Sequence, residues 1–425
     1  MTTSTNGIYL ERYAYPVEFL NQYAPDTSTG LIVTIPCYNE DNLISSLQSL
    51  NDCFYPGCSV EVIIIINHPE NCPANIKAKN FRTYNEAESW IAEMKNRWLK
   101  FYVIKAFDLP AKSAGVGLAR KIGMDEAVRR FAHVKNKTGL ISCFDSDCLC
   151  QPNYFQALIN YFKKNTKCNG ATVYFEHPLS GDLPTDIYKG ITQYELHLRY
   201  LTHALRYSGF PFTYYTVGST IVVPVEVYKK QGGMNARQAG EDFYFIQKIA
   251  SLGNFHEIKN TVIFPSPRVS DRVPFGTGKA MKRWTQQRSD SYFTYNYLTF
   301  TDLKQFIEII NLSYENQTPE KFLSESQIPE TINMYLNREN WQNRLLSCLK
   351  TSNSLKVYNS KVYNWFNGLK VIRYLNYSGS SYYEDLPVEK ASRWLLKSHF
   401  NINSNHKSAR ELLNIYRKID REIKN

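Results

Sequence analysis

The sequence predicts an α/β chain: a mostly parallel sheet with helices on both faces, followed by a C-terminal α-helical domain. Three observations carry that expectation. Short apolar runs alternate with amphipathic stretches from Leu31 to Ala250, the signature of strand–helix–strand units. The run Val60–Ile66 is so rich in isoleucine that it has no polar face, which suits a strand covered on both sides. Beyond Thr301 the strand-sized runs stop and helical periodicity takes over. A chain of 425 residues exceeds one ordinary core. Two domains are therefore expected, 1–290 and 291–425, with the change of composition between about 285 and 300.

The elements follow in order. Residues 1–29 read as an irregular lead-in. Leu31–Pro36 is a buried strand that proline ends, and a helical pattern follows through Leu43, Leu47 and Leu50. After the strand Val60–Ile66 comes a polar insertion with a helix over Glu86–Trp98, then a strand over Phe101–Lys105. Gly115–Phe131 reads as an amphipathic helix, Leu140–Phe144 as a buried strand, and the stretch after Pro152 as a helix. Ala171–Phe175 and Val217–Val223 are further strands, separated by one long helix over Asp186–Arg206. Gly232-Gly233 marks a tight turn ahead of a helix over Glu241–Ala250. Asp302–Leu312, Trp341–Leu349 and Ala409–Ile423 are helices of the second domain, with Trp341, Trp365 and Trp394 assigned to its core.

Composition narrows the classes. The longest apolar run is strand-sized, far short of a bilayer span. The polar N-terminus has no apolar leader core, and the nine cysteines lack zinc-ligand spacing, so reduced thiols in a cytoplasmic protein are expected. The net charge of +11 favours anionic partners, nucleotide phosphates or a membrane surface among them. Charge alone does not choose between these and a solvated basic face.

Chemistry concentrates at Gly139–Cys150, where the buried run ends in Asp145-Ser146-Asp147. Unpaired carboxylates at a core edge are costly. A hard divalent cation, Mn²⁺ or Mg²⁺, accounts for them, because it takes oxygen ligands and leaves positions open for substrate phosphates. Cys148 and Cys150 are poor partners in such a site, since soft sulfur suits other metals. Open α/β sheets bind ligands beyond the carboxyl ends of their strands, where this pair falls.

Four further features accompany the pair in fixed order: Ile35-Pro-Cys-Tyr-Asn-Glu40, Lys112–Gly123 with its Gly-Leu-Ala-Arg core, Gly232–Asp242 ending in Gly-Glu-Asp, and the Pro265–Lys279 loop. In this combination the chain resembles family 2 glycosyltransferases of the GT-A fold over roughly residues 30–285. The resemblance implies a nucleotide-diphosphate sugar donor, with Pro36, Tyr38 and Glu40 lying under base and ribose. Asn67 stands where the family has a base-binding aspartate, and Arg120 would face the nucleotide or its phosphates. Asp145 and Asp147 would hold the cation on the diphosphate, with Asp271 or His256 as a third ligand. Asp242 would be the general base that deprotonates an acceptor hydroxyl, Glu241 would orient the acceptor, and the anomeric carbon would invert. Arg268 and Arg272 would close on the diphosphate. The residues themselves leave alternatives: Glu241-Asp242 opens a helix and suits a capping pair, Gly115 and Gly117 suit close packing of a helix on a strand, His256 suits an ordinary strand position, and the arginine loop suits a connection between domains.

The expected activity is transfer of a hexose-type sugar to a saccharide or lipid-linked acceptor in surface polysaccharide synthesis. Nucleic acid is not an expected partner, and peripheral contact with the inner membrane face is compatible with the charge. Two rivals stand beside it. A sugar-phosphate nucleotidyltransferase would carry a glycine-rich basic loop after the first strand, where this chain has Cys37-Tyr-Asn-Glu. A non-catalytic glycan-binding module would bind no nucleotide through metal. A dinucleotide-binding reading of Gly115-Val-Gly fails because the preceding strand ends about ten residues too early.

Overall fold

The computed structural model describes residues 5–238, 240–272, 276–287, 290–336 and 339–422. It forms two compact units. The first comprises the chain up to Pro184 together with Thr216–Arg283; the second comprises Thr185–Tyr215 and the chain from Trp284 on.

The first unit is built on an eight-stranded sheet. Its strands are β1 (Thr29–Cys37), β2 (Ser59–Pro69), β3 (Leu99–Leu109), β4 (Leu140–Cys143), β5 (Leu149–Cys150), β6 (Gly170–Phe175), β7 (Ile221–Pro224) and β8 (Phe255–Phe264). They lie in the order β3-β2-β1-β4-β7-β6-β8-β5. β3, β2, β1 and β4 are parallel, and every residue of β2 except Pro69 is buried, as its isoleucine run requires. β7 runs antiparallel to both its neighbours, so the sheet is mixed across its middle. The helices of this unit include α1 (Thr5–Arg12), α2 (Leu43–Asn51), α3 (Ala74–Glu93), α4 (Val116–His133) and α5 (Tyr154–Lys164).

In chain order α6 (Thr185–Tyr207) comes next, and it belongs to the second unit. The contiguous division 1–290 and 291–425 is thus replaced by an interleaved one, and the reason lies in the partners of α6. Its buried Arg199 and His203 both donate to Asp420 of the last helix, and Tyr200 donates to the carbonyl of Tyr295 at 3.0 Å. Ions this deeply buried are stable only beside their counter-charges, so the helix stays with the unit that supplies them.

α7 (Val225–Lys230) and α8 (Glu241–Ala250) return to the first unit, and the boundary at Arg283 falls within α9 (Thr277–Gln287). The second unit continues with α10 (Tyr297–Glu315), α11 (Pro319–Glu325), α12 (Glu330–Leu336), α13 (Trp341–Lys350), α14 (Leu355–Trp365), α15 (Gly368–Ser381), α16 (Val388–Phe400) and α17 (Ala409–Glu422). The short strands β9 (Phe293–Thr294) and β10 (Leu386–Pro387) pair antiparallel beside them. No helix among the described residues is long and apolar enough to cross a membrane.

Four local expectations are corrected. The lead-in read as irregular carries α1 over Thr5–Arg12. The helix expected over Glu86–Trp98 runs instead over Ala74–Glu93. Asn96 ends that connection by accepting from the amides of Trp98 and Leu99, which turns the chain into β3. The strand expected over Val217–Val223 begins with a 3-10 turn at Gly218–Thr220. Of the three tryptophans assigned to the helical core, Trp341 is buried, whereas Trp365 and Trp394 keep partial exposure. Trp365 donates its ring N–H to Glu339 at 2.9 Å, and Trp394 stacks on Tyr297 with ring centroids 4.4 Å apart.

Candidate active site

The site grows out of the adjacent ends of β1 and β4. One bond beyond β4, the amide of Phe144 still donates to the carbonyl of Thr34 at 3.0 Å. The next four residues close a turn in which Cys148 N–H donates to the Asp145 carbonyl at 3.1 Å. The turn leaves Asp145 and Asp147 on the rim, partly exposed, with Cys148 beneath. One potential ligand atom from each of the three lies within 4.8 Å of the others. Burial, with Asp147 and Asp145 beside it, pushes the Cys148 thiol well above its usual range. It stays protonated and leaves two hard carboxylates as the donors.

Arg120 of α4 organises one side of this turn. Its guanidinium donates to Asp145 Oδ1 at 2.5 Å and to Glu241 Oε1 at the start of α8. It is 4% exposed, and Glu241 is 1% exposed. Burial opposes the arginine's charge, but the two carboxylates outweigh it and hold its pKa above the ordinary value. Two glycines make room for this clamp. A Cβ on Gly218 would sit 2.3–2.6 Å from the guanidinium atoms of Arg120, so only glycine fits where the chain enters β7. A Cβ on Gly117 would lie 2.2 Å from the carbonyl oxygen of Arg237, so α4 closes directly on the segment leading to α8. The packing reading of Gly117 therefore holds, against a loop rather than a strand.

Asp242 follows Glu241 and is partly exposed. Its Oδ1 accepts from the amide of Phe243 at 2.7 Å, a bond within the first turn of α8. Desolvation, reinforced by the charge of Glu241, pushes its carboxyl up to about 7. A carboxylate with that pKa takes and releases a proton near neutrality.

Glu40 is the hub on the other side, and it is fully buried. Its Oε1 accepts from the amides of Asp41 and Asn42 at 2.9 and 3.0 Å. Its Oε2 accepts from Ser146 Oγ at 3.2 Å, Arg268 at 2.6 Å and Arg272 at 2.8 Å. Arg268 also makes two bonds to Asp147 Oδ2, at 2.8 and 2.7 Å, and Arg272 donates to the Tyr38 carbonyl at 2.9 Å. Burial pushes Asp147 up to about 6, with Arg268 pulling against it. The structure thus brings Glu40, Asp145, Asp147, Arg268 and Arg272 together. Residues 273–275 of the same loop lie outside the described residues.

The remaining sequence-derived candidates divide. Pro36 lies within β1, one residue before its end, in register with Ile65, and is buried. Tyr38 is partly exposed, its hydroxyl 3.9 Å from Cys72 Sγ. Asn67 is buried, and its carbonyl accepts from Asn80 at 3.0 Å. Asp271 does not join the acidic pair: it is exposed and pairs with Lys282 at 2.5 Å and Lys279 at 4.0 Å. A solvent-facing loop position beside two ammonium groups satisfies it there. His256 sits on β8, bonded to the Tyr161 hydroxyl at 3.0 Å, an ordinary strand histidine.

Two residues were missed by sequence reading. Asn80, wholly buried on α3, ties the Asn67 carbonyl to the amide of Asn39; it lies in the stretch read as a polar insertion, where nothing in the sequence marks it. Ser146 links the turn to Glu40 and takes a bond from Ser46 on its carbonyl. In the sequence it is only the residue between the two acids.

The donor chemistry fits a hard cation. No described group donates to Asp145 Oδ2 or Asp147 Oδ1, so each acid keeps one oxygen for a metal, and the rim position leaves room for water or phosphate.

No protein-family model matches this chain, and no curated protein does. Solved structures do. S. aureus TarS 1-349 in complex with UDP-GlcNAc is similar at 12% sequence identity and a TM-score of 0.36, covering 92% of this chain and 90% of that one. The same fragment with UDP gives the same figures. A crystal structure of S. aureus TarS gives 14% and 0.37, covering 92% of this chain and 55% of that one. Likeness at this level specifies neither substrate nor residue role.

Proposed function

We propose that this chain is a metal-dependent glycosyltransferase of the GT-A, family 2 type. It would move a hexose-type sugar, with inversion, from a nucleotide diphosphate to a hydroxyl of a saccharide or lipid-linked acceptor. The observation that carries the reading is the Arg120 clamp: one buried guanidinium joins Asp145 of the acidic turn to Glu241 beside Asp242. The acidic turn that would hold the leaving group and the carboxylate that would accept the proton are thereby tied to one guanidinium, an arrangement that suits direct displacement at an anomeric carbon. A role in surface polysaccharide synthesis and peripheral contact with a membrane face belong to the same proposal.

Each residue then has a task. Asp145 and Asp147 would hold Mn²⁺ or Mg²⁺, which when bound supplies Lewis-acid stabilisation of the departing diphosphate. Asp242, with a pKa near neutrality, takes the acceptor hydroxyl proton as that oxygen attacks. Glu241 is too deeply buried to meet a bulky acceptor directly; held by Arg120, it would fix the start of α8, which carries Asp242. Pro36, Tyr38 and Asn67 would border the base and ribose. Arg268 and Arg272, which sit beside the acidic turn and Glu40, would neutralise diphosphate oxygens.

The nucleotidyltransferase reading is disfavoured by the loop after β1. Its backbone amides at Asp41 and Asn42 are already engaged by the Glu40 carboxylate and are not free to cradle a triphosphate. Donor hydrolysis or transfer, followed by nucleoside diphosphate release with Mn²⁺, tests the proposal. A panel of nucleotide sugars including UDP-GlcNAc, the ligand crystallised with S. aureus TarS 1-349, should contain at least one donor whose turnover stops with EDTA. Pyrophosphate release from a sugar phosphate and a nucleoside triphosphate, with no transfer from any donor, would refute it.

A further inference from the structure

We propose that Arg268 is a built-in counter-ion for the acidic turn, one that a divalent cation displaces and that then passes to the diphosphate. The inference rests on the metal reading above and concerns how the empty and loaded states exchange. Four carboxylates, Glu40, Asp145, Asp147 and Glu241, are held by three guanidiniums, those of Arg120, Arg268 and Arg272. The three are not equivalent. Arg120 comes from α4 and is almost fully buried, so it has no room to move. Arg272 is anchored by the Tyr38 carbonyl and by Ser270 Oγ at 3.1 Å as well as by Glu40. Among the described residues, Arg268 bonds through its side chain to Asp147 and Glu40 alone, and its side chain is 18% exposed.

Electrostatics then decides which group leaves. A dication on Asp145 and Asp147 would sit next to the Arg268 guanidinium, and like charges at such range repel strongly. Glu40 tolerates the loss, since the amides of Asp41 and Asn42, Ser146 and Arg272 remain on it. The freed guanidinium finds new acceptors in diphosphate oxygens, which it can bind in a bidentate fashion. Metal and diphosphate binding are thereby coupled: either alone must displace or forgo Arg268, whereas together they satisfy it.

The test uses the whole 425-residue chain, Mn²⁺ followed by the electron paramagnetic resonance of the free ion, and inorganic pyrophosphate as a probe that carries no base. Without pyrophosphate, Arg268→Ala should bind Mn²⁺ at least about tenfold more tightly than wild type, and Arg268→Lys, which keeps the charge, should not. With Mn²⁺ present, pyrophosphate should bind Arg268→Ala about tenfold more weakly. Melting curves check that the variants fold, and Arg268→Gln carries the same expectation if alanine does not. Equal or weaker Mn²⁺ binding by Arg268→Ala, or unchanged pyrophosphate binding, overturns the counter-ion role and leaves the proposed activity standing. Absence of Mn²⁺ binding in every variant, with and without pyrophosphate, overturns both.

Discussion

Arg120→Met tests the clamp most directly. The substitution keeps the bulk of the side chain but removes a buried positive charge. It leaves Glu241, 1% exposed, and Asp145 without their shared partner. Glu241 Oε2 already has no hydrogen-bond partner, so the carboxylate would then be bare on both oxygens. Removing one member of a buried pair typically costs about 3–5 kcal/mol. For a unit of this size roughly 2–4 °C is lost per kcal/mol, so the melting point should fall on the order of 10 °C. The charge argument makes a second demand. Glu241→Gln in the same background removes the uncompensated charge, so the double variant should be more stable than Arg120→Met alone, with a coupling of about 1 kcal/mol or more. Urea titrations of the four proteins, followed by circular dichroism, complete the cycle. If Arg120→Met stays within about 0.5 kcal/mol of wild type, or if the double variant recovers nothing, the clamp is not an electrostatic keystone.

Three further outcomes are expected. The base role proposed for Asp242, whose carboxyl is pushed up to about 7, requires transfer to rise as pH increases through about 7; Asp242→Asn should then lose about 10²–10⁴-fold and the pH limb with it, as steady-state rates would report. Gly218→Ala should cost about 1–3 kcal/mol by thermal unfolding, because its Cβ would collide with the fixed Arg120 guanidinium rather than with a yielding side-chain tip. In the second unit, burial alone would raise Asp420, but His203 and Arg199 outweigh it and hold its carboxyl below the usual range. Its stabilisation is therefore complete above the unfolded carboxylate pKa and lost as pH falls through the lower folded one; Asp420→Asn should remove that acid dependence and speed amide exchange in α6 and α17.

Much of the framework was legible in the sequence. β2 could be read because a run of isoleucine has no polar face to show water, and α8 because Glu241-Asp242 sits where a helix dipole welcomes acids and Phe245, Ile246 and Ile249 follow at helical spacing. Asp145 and Asp147 stood out because carboxylates abruptly ended a buried run. These are local signals, carried by period and charge along the chain. The division into units was not local. Arg199 and His203 look like the polar face of an amphipathic helix until Asp420, more than two hundred residues later, meets them.

The roles of the arginines and of Glu40 were likewise beyond the sequence. Glu40 read as a ligand-facing acid beside Tyr38, yet it is fully buried and takes bonds from two arginines far along the chain. Arg120 read as a phosphate contact, yet its charge is consumed by Asp145 and Glu241. Asp271, with no feature to separate it from a metal ligand, turned toward Lys282. The sequence by itself determined which segments bury and which acids lie at a strand's end, because hydrophobic period and backbone geometry are properties of neighbouring residues. Only the tertiary structure decided which charge neutralises which, because a buried ion is satisfied by whatever the fold brings within a few ångströms, at any separation along the chain.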